Sequence, residues 1–266
     1  MKNLLFGFIV VLLLVSCKNE TDKATENSKA TAEEVEKEMT SQDENFEVIP
    51  ISHASMVLNW NDKTIYVDPV GGAETYATYP LADLILITDI HGDHMSIETL
   101  QGLNTEKAKI IVPQAVADSL PSDFDTQIDV LNNGDTKERF GFNIEAIPMY
   151  NLRSDALRFH PKGRGNGYVV ENDGKRIYIS GDTEDIPEMR ALENIDKAFV
   201  CMNLPYTMTE MKAGDAVAEF KPKTVYPYHY RGADGFSNLD LFEVALRRLD
   251  TAKQIEIVRL NWYPVK

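Results

Sequence analysis

Residues 83–94 read "DLILITDIHGDH", an apolar run that ends in a loop where Asp89, His91, Asp93 and His94 are all potential metal ligands. The run has the composition of a strand. Strand ends are where α/β folds converge side chains into a site. Adjacent side chains diverge, so these donors cannot all reach one ion. They suit two ions held close together, a two-metal hydrolytic arrangement. Imidazole and carboxylate together suit Zn, Fe or Mn.

Other parts of the chain offer further donors at similar places. The sequence has 5 histidines in all, the remainder being His53, His160 and His229. His229 ends the apolar run "TVYPYHY", His160 precedes the loop "PKGRGNG", and Asp182 follows a strand in "YISGDT". From Phe46 onward, short β-branched runs alternate with turn residues and helical stretches. Strands are expected at "FEVIPI", "SMVLNW", "KTIYVDP", "DLILITD", "AKIIVP", "GYVVEN", "KRIYISG", "KAFVCMN" and "TVYPYH". Helices are expected over 96–102, 114–119, 186–192, 209–220 and 238–249, each opening near a capping-type residue or a turn. The chain is therefore mixed α/β. One internal echo stands out. "SMVLNWNDKTIYVDP" and "GYVVENDGKRIYISGD" both read as hairpins with an Asn-Asp turn and a carboxylate after the second strand. Either two related half-domains pack together, or two amphipathic hairpins happen to look alike.

"D-x-H-x-D-H" at 89–94 resembles the H-x-H-x-D-H signature of the metallo-β-lactamase superfamily. The order of landmarks also fits: His53 in "SHAS", then "DIHGDH", then His160, "GDT" at 181–183 and "PYHY" at 227–230. The combination is most similar to the ascorbate-6-phosphate lactonase-like hydrolases, over residues 46–262. The resemblance implies an αββα sandwich, two packed mixed sheets flanked by helices, with metals at one edge. It implies a first ion on Asp89, His91 and His160, a second on Asp93, His94 and His229, and Asp182 bridging both. His53 would lie beside the site, in contact with substrate or in a structural hydrogen bond. The activity implied is hydrolysis of a small molecule at a phosphodiester, lactone or related ester or amide bond. A metal-bound hydroxide would attack, with Asp182 bridging the ions and Asp93 also orienting the nucleophile. Lys162, Arg164 and Arg231 could grip an anionic group, or be solvated loop charges. A redox di-metal protein and a non-catalytic module of the same fold are the rival expectations.

Asp89 departs from the signature, which has histidine there. As a ligand it makes the site harder and more anionic, tilting it from Zn towards Mn or Fe. Otherwise it accepts a hydrogen bond from a ligating imidazole, and the first ion is weak or absent. Asp68, in "YVDP", is expected to stabilise a turn rather than bind metal. Cys201 is expected to be inert packing.

The ends of the chain differ from this domain. Residues 1–17, "MKNLLFGFIVVLLLVSC", have the short apolar run of a secretory signal, and "LVSC" resembles a lipobox that would leave Cys17 lipidated. Residues 18–45 hold almost no large apolar side chain and are expected to be a flexible tether. Residues 46–266 are then expected to form the folded domain, held by a lipid at the cell envelope, on the periplasmic side or at the outer membrane. A net charge of −15 argues against nucleic acid as a partner.

Overall fold

The computed structural model describes residues 45–264; the apolar N-terminal run, Cys17 and nearly all of the expected tether lie outside them. Two sheets share one plan. The first runs β1 (Phe46–Ser52), β2 (Ser55–Trp60), β3 (Lys63–Val67), β4 (Leu84–Leu86), β5 (Lys109–Val112) and β6 (Ile128–Val130), in that spatial order. Its first three strands are antiparallel and the rest parallel. The second comprises β7 (Thr136–Arg139), β8 (Phe142–Met149), β9 (Gly165–Asn172), β10 (Lys175–Ile179), β11 (Lys197–Cys201), β12 (Thr224–Tyr228) and β15 (Glu256–Ile257). It too begins antiparallel and becomes parallel from β10 onward. A small ribbon of β13 (Arg231–Gly232) and β14 (Gly235–Phe236) lies between β12 and β15 in sequence.

The repeated hairpins thus occupy matching places in the two sheets. Asn61 and Asp62 both have positive φ and join β2 to β3 as a two-residue turn whose twist suits a hairpin. The second turn is Asp173-Gly174, one residue later than the Asn-Asp pair suggested. The two turns touch: the Asn61 amide donates to Asn172 and, at 3.0 Å, to Asp173.

Alternation along the strands divides the burial. Met56, Leu58, Ile65, Val67, Leu84, Leu86 and Ile111 join the side chains of the second sheet in one core. Val57, Tyr66, Ile85, Ile87, Ile110 and Val112 form a separate core on the opposite face. Leu100 of α1 (Ile97–Gly102) and Val116 of α2 (Gln114–Ala117) cover that face. Each Leu, Ile or Val so buried contributes roughly 1.5–3 kcal/mol. Beside the second sheet lie α3 (Pro187–Arg190), α4 (Glu210–Phe220) and α5 (Leu239–Leu249). Thr209 and Asn238 cap the last two, and Ser96 caps α1. Helices α4 and α5 approach so closely that a Cβ on Gly214 would lie 2.6 Å from that of Ala245.

Two mixed sheets packed face to face with flanking helices are the αββα sandwich the motif implies. All nine expected strands and five expected helices form; four of the helices start a residue later because the expected first residue is the cap, while α2 starts at Gln114 as expected. Strands β6, β7 and β8 and the short β13, β14 and β15 were not expected. Among the described residues, no helix is long and apolar enough to cross a membrane.

Candidate metal centre

The strands deliver their terminal side chains to one edge of the sandwich. His53 comes from the β1–β2 turn, Asp68 from the end of β3, and Thr88 to His94 from the loop after β4. His160 comes from the β8–β9 connection, and Asp182, Asn203 and His229 follow β10, β11 and β12. After Asp89 the chain makes a helical turn, in which the amides of His94 and Met95 both donate to the His91 carbonyl, at 3.0 and 2.9 Å. Three of the site residues, His53, Asp68 and His229, hold left-handed backbone with φ of 57°, 44° and 47°. Such strain persists only where the surroundings enforce it. Here the His53 amide donates to the Trp262 carbonyl (3.2 Å), and the His53 carbonyl accepts from the His229 amide (3.3 Å).

His94 and His229 are fully buried and Asp182 is 3% exposed, yet their polar atoms face one another. His94 Nε2 and His229 Nε2 are 3.1 Å apart, and Asp182 lies with Oδ2 3.4 Å from the first and Oδ1 3.2 Å from the second. Donors bound tetrahedrally at about 2.0–2.1 Å stand about 3.3 Å from each other, the spacing that each of these contacts has. Asp93 reaches it from the solvent side, 3.4 Å from His229 Nε2 and 3.9 Å from His94 Nε2, with its side chain 44% exposed. Asp182 Oδ1 and His160 Nε2 are buried without a hydrogen-bond partner. Leaving such atoms unsatisfied is costly, and a cation removes the cost. These residues fit a divalent ion.

Each ligand-type imidazole is held from behind. Asp68 Oδ2 lies 2.8 Å from His94 Nδ1 while its carboxylate also accepts from the Thr88 amide and hydroxyl, each at 2.7 Å. Asn203 lies 2.9 Å from His229 Nδ1, the Tyr206 carbonyl 3.2 Å from His160 Nδ1, and Tyr263 Oη 2.8 Å from His53 Nδ1. Such partners fix ring orientation and tautomer. The Asp68 carboxylate is not spent on a turn of its own, as its Asp-Pro setting led one to expect, but on Thr88 and His94 in the loop after β4. Asn203, Tyr206 and Tyr263 were not singled out. Asn203 had a visible signal, since it ends "KAFVCMN" as His229 ends "TVYPYH".

Protonation in the metal-free site follows from this crowding. Burial alone would lower His94, but Asp182 and Asp68 outweigh it and raise its pKa well above the ordinary histidine value. Burial would raise Asp182, but His229 and His94 pull it well below the usual carboxylate range. His53 is lowered, chiefly by burial, against the pull of Asp93.

Asp89 stands differently. Its side chain is fully buried, and both oxygens lie in the fork of Arg164, at 3.0 Å from Nε and 2.8 Å from Nη2. His91 Nδ1 lies 2.9 Å from Asp89 Oδ2, but His160 Nε2 is 4.0 Å away. Burial would raise this carboxyl; His91 and Arg164 hold it below its usual range. The expected ligands thus gather as Asp89–His91–His160, His94–Asp182–His229 and His53–Asp93–His229, the atoms of each set lying within 4.8 Å of one another. Of the three cations that could either grip an anion or be solvated loop charges, Arg164 grips the chain's own carboxylate. Lys162 pairs with Glu188 at 2.7 Å, and Arg231 lies over the Tyr263 ring at 5.1 Å.

A pocket of about 350 Å³ opens onto the site, lined by His91, Asp93, Phe159, His160, Asp182, Asn203 and Tyr206. One wall is polar, and Phe159 and Tyr206, in edge-to-face contact at 5.1 Å, form the apolar one. Cys201 lies behind it, buried, with its thiol against the Thr183 carbonyl at 3.4 Å.

Residues 47–229 match the family described as the β-lactamase superfamily domain. The UPF0173 metal-dependent hydrolase of Thermococcus onnurineus is 33% identical over 176 residues, which cover 63% of this chain and 77% of that protein. A Parabacteroides distasonis crystal structure assigned as a metal-dependent hydrolase is 39% identical, with a TM-score of 0.70 over 80% of this chain and 92% of that one. The metallo hydrolase Igni18 of Ignicoccus hospitalis, 21% identical, shares the fold with a TM-score of 0.66 over 81% of this chain and 95% of that one. The chain belongs to the β-lactamase superfamily, among its metal-dependent hydrolases of metallo-β-lactamase fold.

Proposed function

We propose that the chain hydrolyses a small molecule at a phosphodiester, lactone or related ester or amide bond, in the manner of the ascorbate-6-phosphate lactonase-like branch. The observation that carries this is the convergence of His94, His229 and Asp182 at coordination spacing beneath an open pocket. His94, His229 and Asp182 would hold a divalent ion there, Zn or Mn by their mixed donors and Fe by the same chemistry, which would supply Lewis acidity and an acidic water. Asp93, half-exposed at the pocket mouth, orients the attacking water and takes its proton. His53 Nε2, 3.4 Å from Asp93 Oδ2, steadies that carboxylate and relays the proton. The apolar wall of Phe159 and Tyr206 packs the substrate body.

The test is turnover of a chromogenic phosphodiester and a chromogenic lactone by the chelated chain, with and without added Zn or Mn. Metal-dependent turnover abolished by Asp182→Ala is expected. Turnover indifferent to both chelation and Asp182→Ala would overturn the proposal.

We further propose that a lipid on Cys17 anchors the enzyme at the cell envelope, supported by the "LVSC" ending and the polar segment after it. Fatty-acid labelling of cells should tag the wild type and not Cys17→Ser; equal labelling refutes the anchor.

A further inference from the structure

We infer that the Arg164 guanidinium stands in for one of the two ions, so that the chain holds a single divalent cation, on the His94–Asp182–His229 side. This rests on the metal-dependent reading above and deepens it. The signature's histidine at this position is a neutral donor that needs a metal to satisfy its inward nitrogen. Asp89 is instead an anion, and the cation that answers it comes from the chain itself. Arg164 cannot give up its proton, and its planar fork matches both oxygens of a carboxylate.

Three acceptors fix the guanidinium: Asp89 Oδ1, Asp89 Oδ2 and the Phe159 carbonyl. Its Nη2 also lies 3.3 Å from His91 Nε2. An ion bound by Asp89 and His91 would sit within a few ångströms of this fixed positive charge. The donor spacings agree. In the His94 triad the two imidazoles are 3.1 Å apart, and each faces its own Asp182 oxygen, His229 at 3.2 Å and His94 at 3.4 Å. Around Asp89 they are 2.9 Å, a hydrogen-bond contact, and 4.0 Å, wider than a tetrahedral edge. One side of the site is shaped around an ion and the other around an ion pair. Between them, the unpartnered His160 Nε2 lies 3.2 Å from Asp182 Oδ2.

A guanidinium in this place keeps a positive charge beside the pocket without a second metal. With Asp89 neutralised, Asp93 and Asp182 balance one divalent ion. The chain would therefore need half the metal that the two-ion arrangement expected from the sequence requires.

The experiment is titration of the chelated, purified full-length chain with Mn(II) or Zn(II). Bound metal is counted by mass spectrometry after equilibrium dialysis, and Mn(II) spin coupling is read by electron paramagnetic resonance. Wild type should bind one equivalent, with any second weaker by on the order of a thousandfold given the charge opposing it. Its Mn(II) spectrum should be that of an isolated ion. Arg164→Gln, which frees Asp89, should take up a second equivalent and show exchange coupling. Two equivalents of similar affinity in wild type, or a coupled spectrum from it, would overturn the inference and leave the hydrolase proposal standing. No bound metal in wild type would instead overturn the hydrolase proposal, and this inference with it. If Arg164→Gln fails to fold, the wild-type stoichiometry and spectrum still decide.

Discussion

Asp68→Asn is the sharpest single perturbation of the metal centre, because it changes one proton position and almost no volume. Asp68 Oδ1 accepts from the Thr88 amide at 2.7 Å, and Oδ2 faces both the Thr88 hydroxyl (2.7 Å) and His94 Nδ1 (2.8 Å). The carboxylate therefore holds the His94 proton on Nδ1 and leaves Nε2 open toward Asp182 and His229. An asparagine keeps its oxygen on the Thr88 amide only by turning its NH2 toward His94. Nδ1 must then accept, and the proton moves to Nε2, the atom that would bind the ion. The opposite amide orientation sets the NH2 against the Thr88 N–H. Losing such a supporting partner typically weakens metal affinity 10–100-fold, or about 1.4–2.8 kcal/mol. Competition between the protein and a chromophoric chelator for Zn and Mn measures this directly, with circular dichroism as the check on folding. A folded Asp68→Asn chain with wild-type affinity would show that His94 is not a ligand, or that Asp68 does not set its tautomer.

Three further outcomes follow from the packing. In the metal-free chain the raised pKa of His94 means that its pairing with Asp182 and Asp68 stabilises the fold below the ordinary histidine value of about 6.5, and is lost as pH rises through the folded pKa. The ion must displace that proton. Metal affinity should therefore rise with pH by up to about tenfold per unit for each proton released, and a pH-independent affinity refutes the arrangement. Burial pushes the Cys201 thiol up to about 12, so peptide mapping after mild alkylation should find it unmodified until the chain is unfolded. Gly214→Val would force side-chain atoms into Ala245 and the α5 backbone, where a Cβ alone already comes within 2.6 Å. A lower melting temperature, by a loss of about 1–3 kcal/mol, with metal affinity unchanged, is the expected result.

Local pattern made much of this fold readable. The apolar runs that became β3, β4, β10, β11 and β12 end at the very edge where Asp68, the "DIHGDH" loop, Asp182, Asn203 and His229 meet. Strand β8 was missed although Phe142, Ile144 and Ala146 alternate inward, because Pro148 sits inside it and counts against a strand. The first turn of α3 was readable from its proline, and those of α4 and α5 from their caps. What the sequence withheld is pairing at long range. Arg164 and Asp89 are separated by 75 residues, and no spacing rule connects them. The grip of Asp68 on His94 spans 26 residues and depends on a left-handed backbone at Asp68, which an Asp-Pro dipeptide signals only as a turn. Ligand types are therefore visible in one dimension. The groups that orient and neutralise them become visible only when the strands are laid side by side.

The central claim is that an ion sits where His94, His229 and Asp182 converge. Anomalous diffraction from crystals grown with Zn or Mn locates it without reference to activity. The account predicts a strong peak about 2.0–2.3 Å from His94 Nε2, His229 Nε2 and an Asp182 oxygen. An empty map at that point in metal-loaded crystals, or a peak bound only by Asp89, His91 and His160, would contradict it.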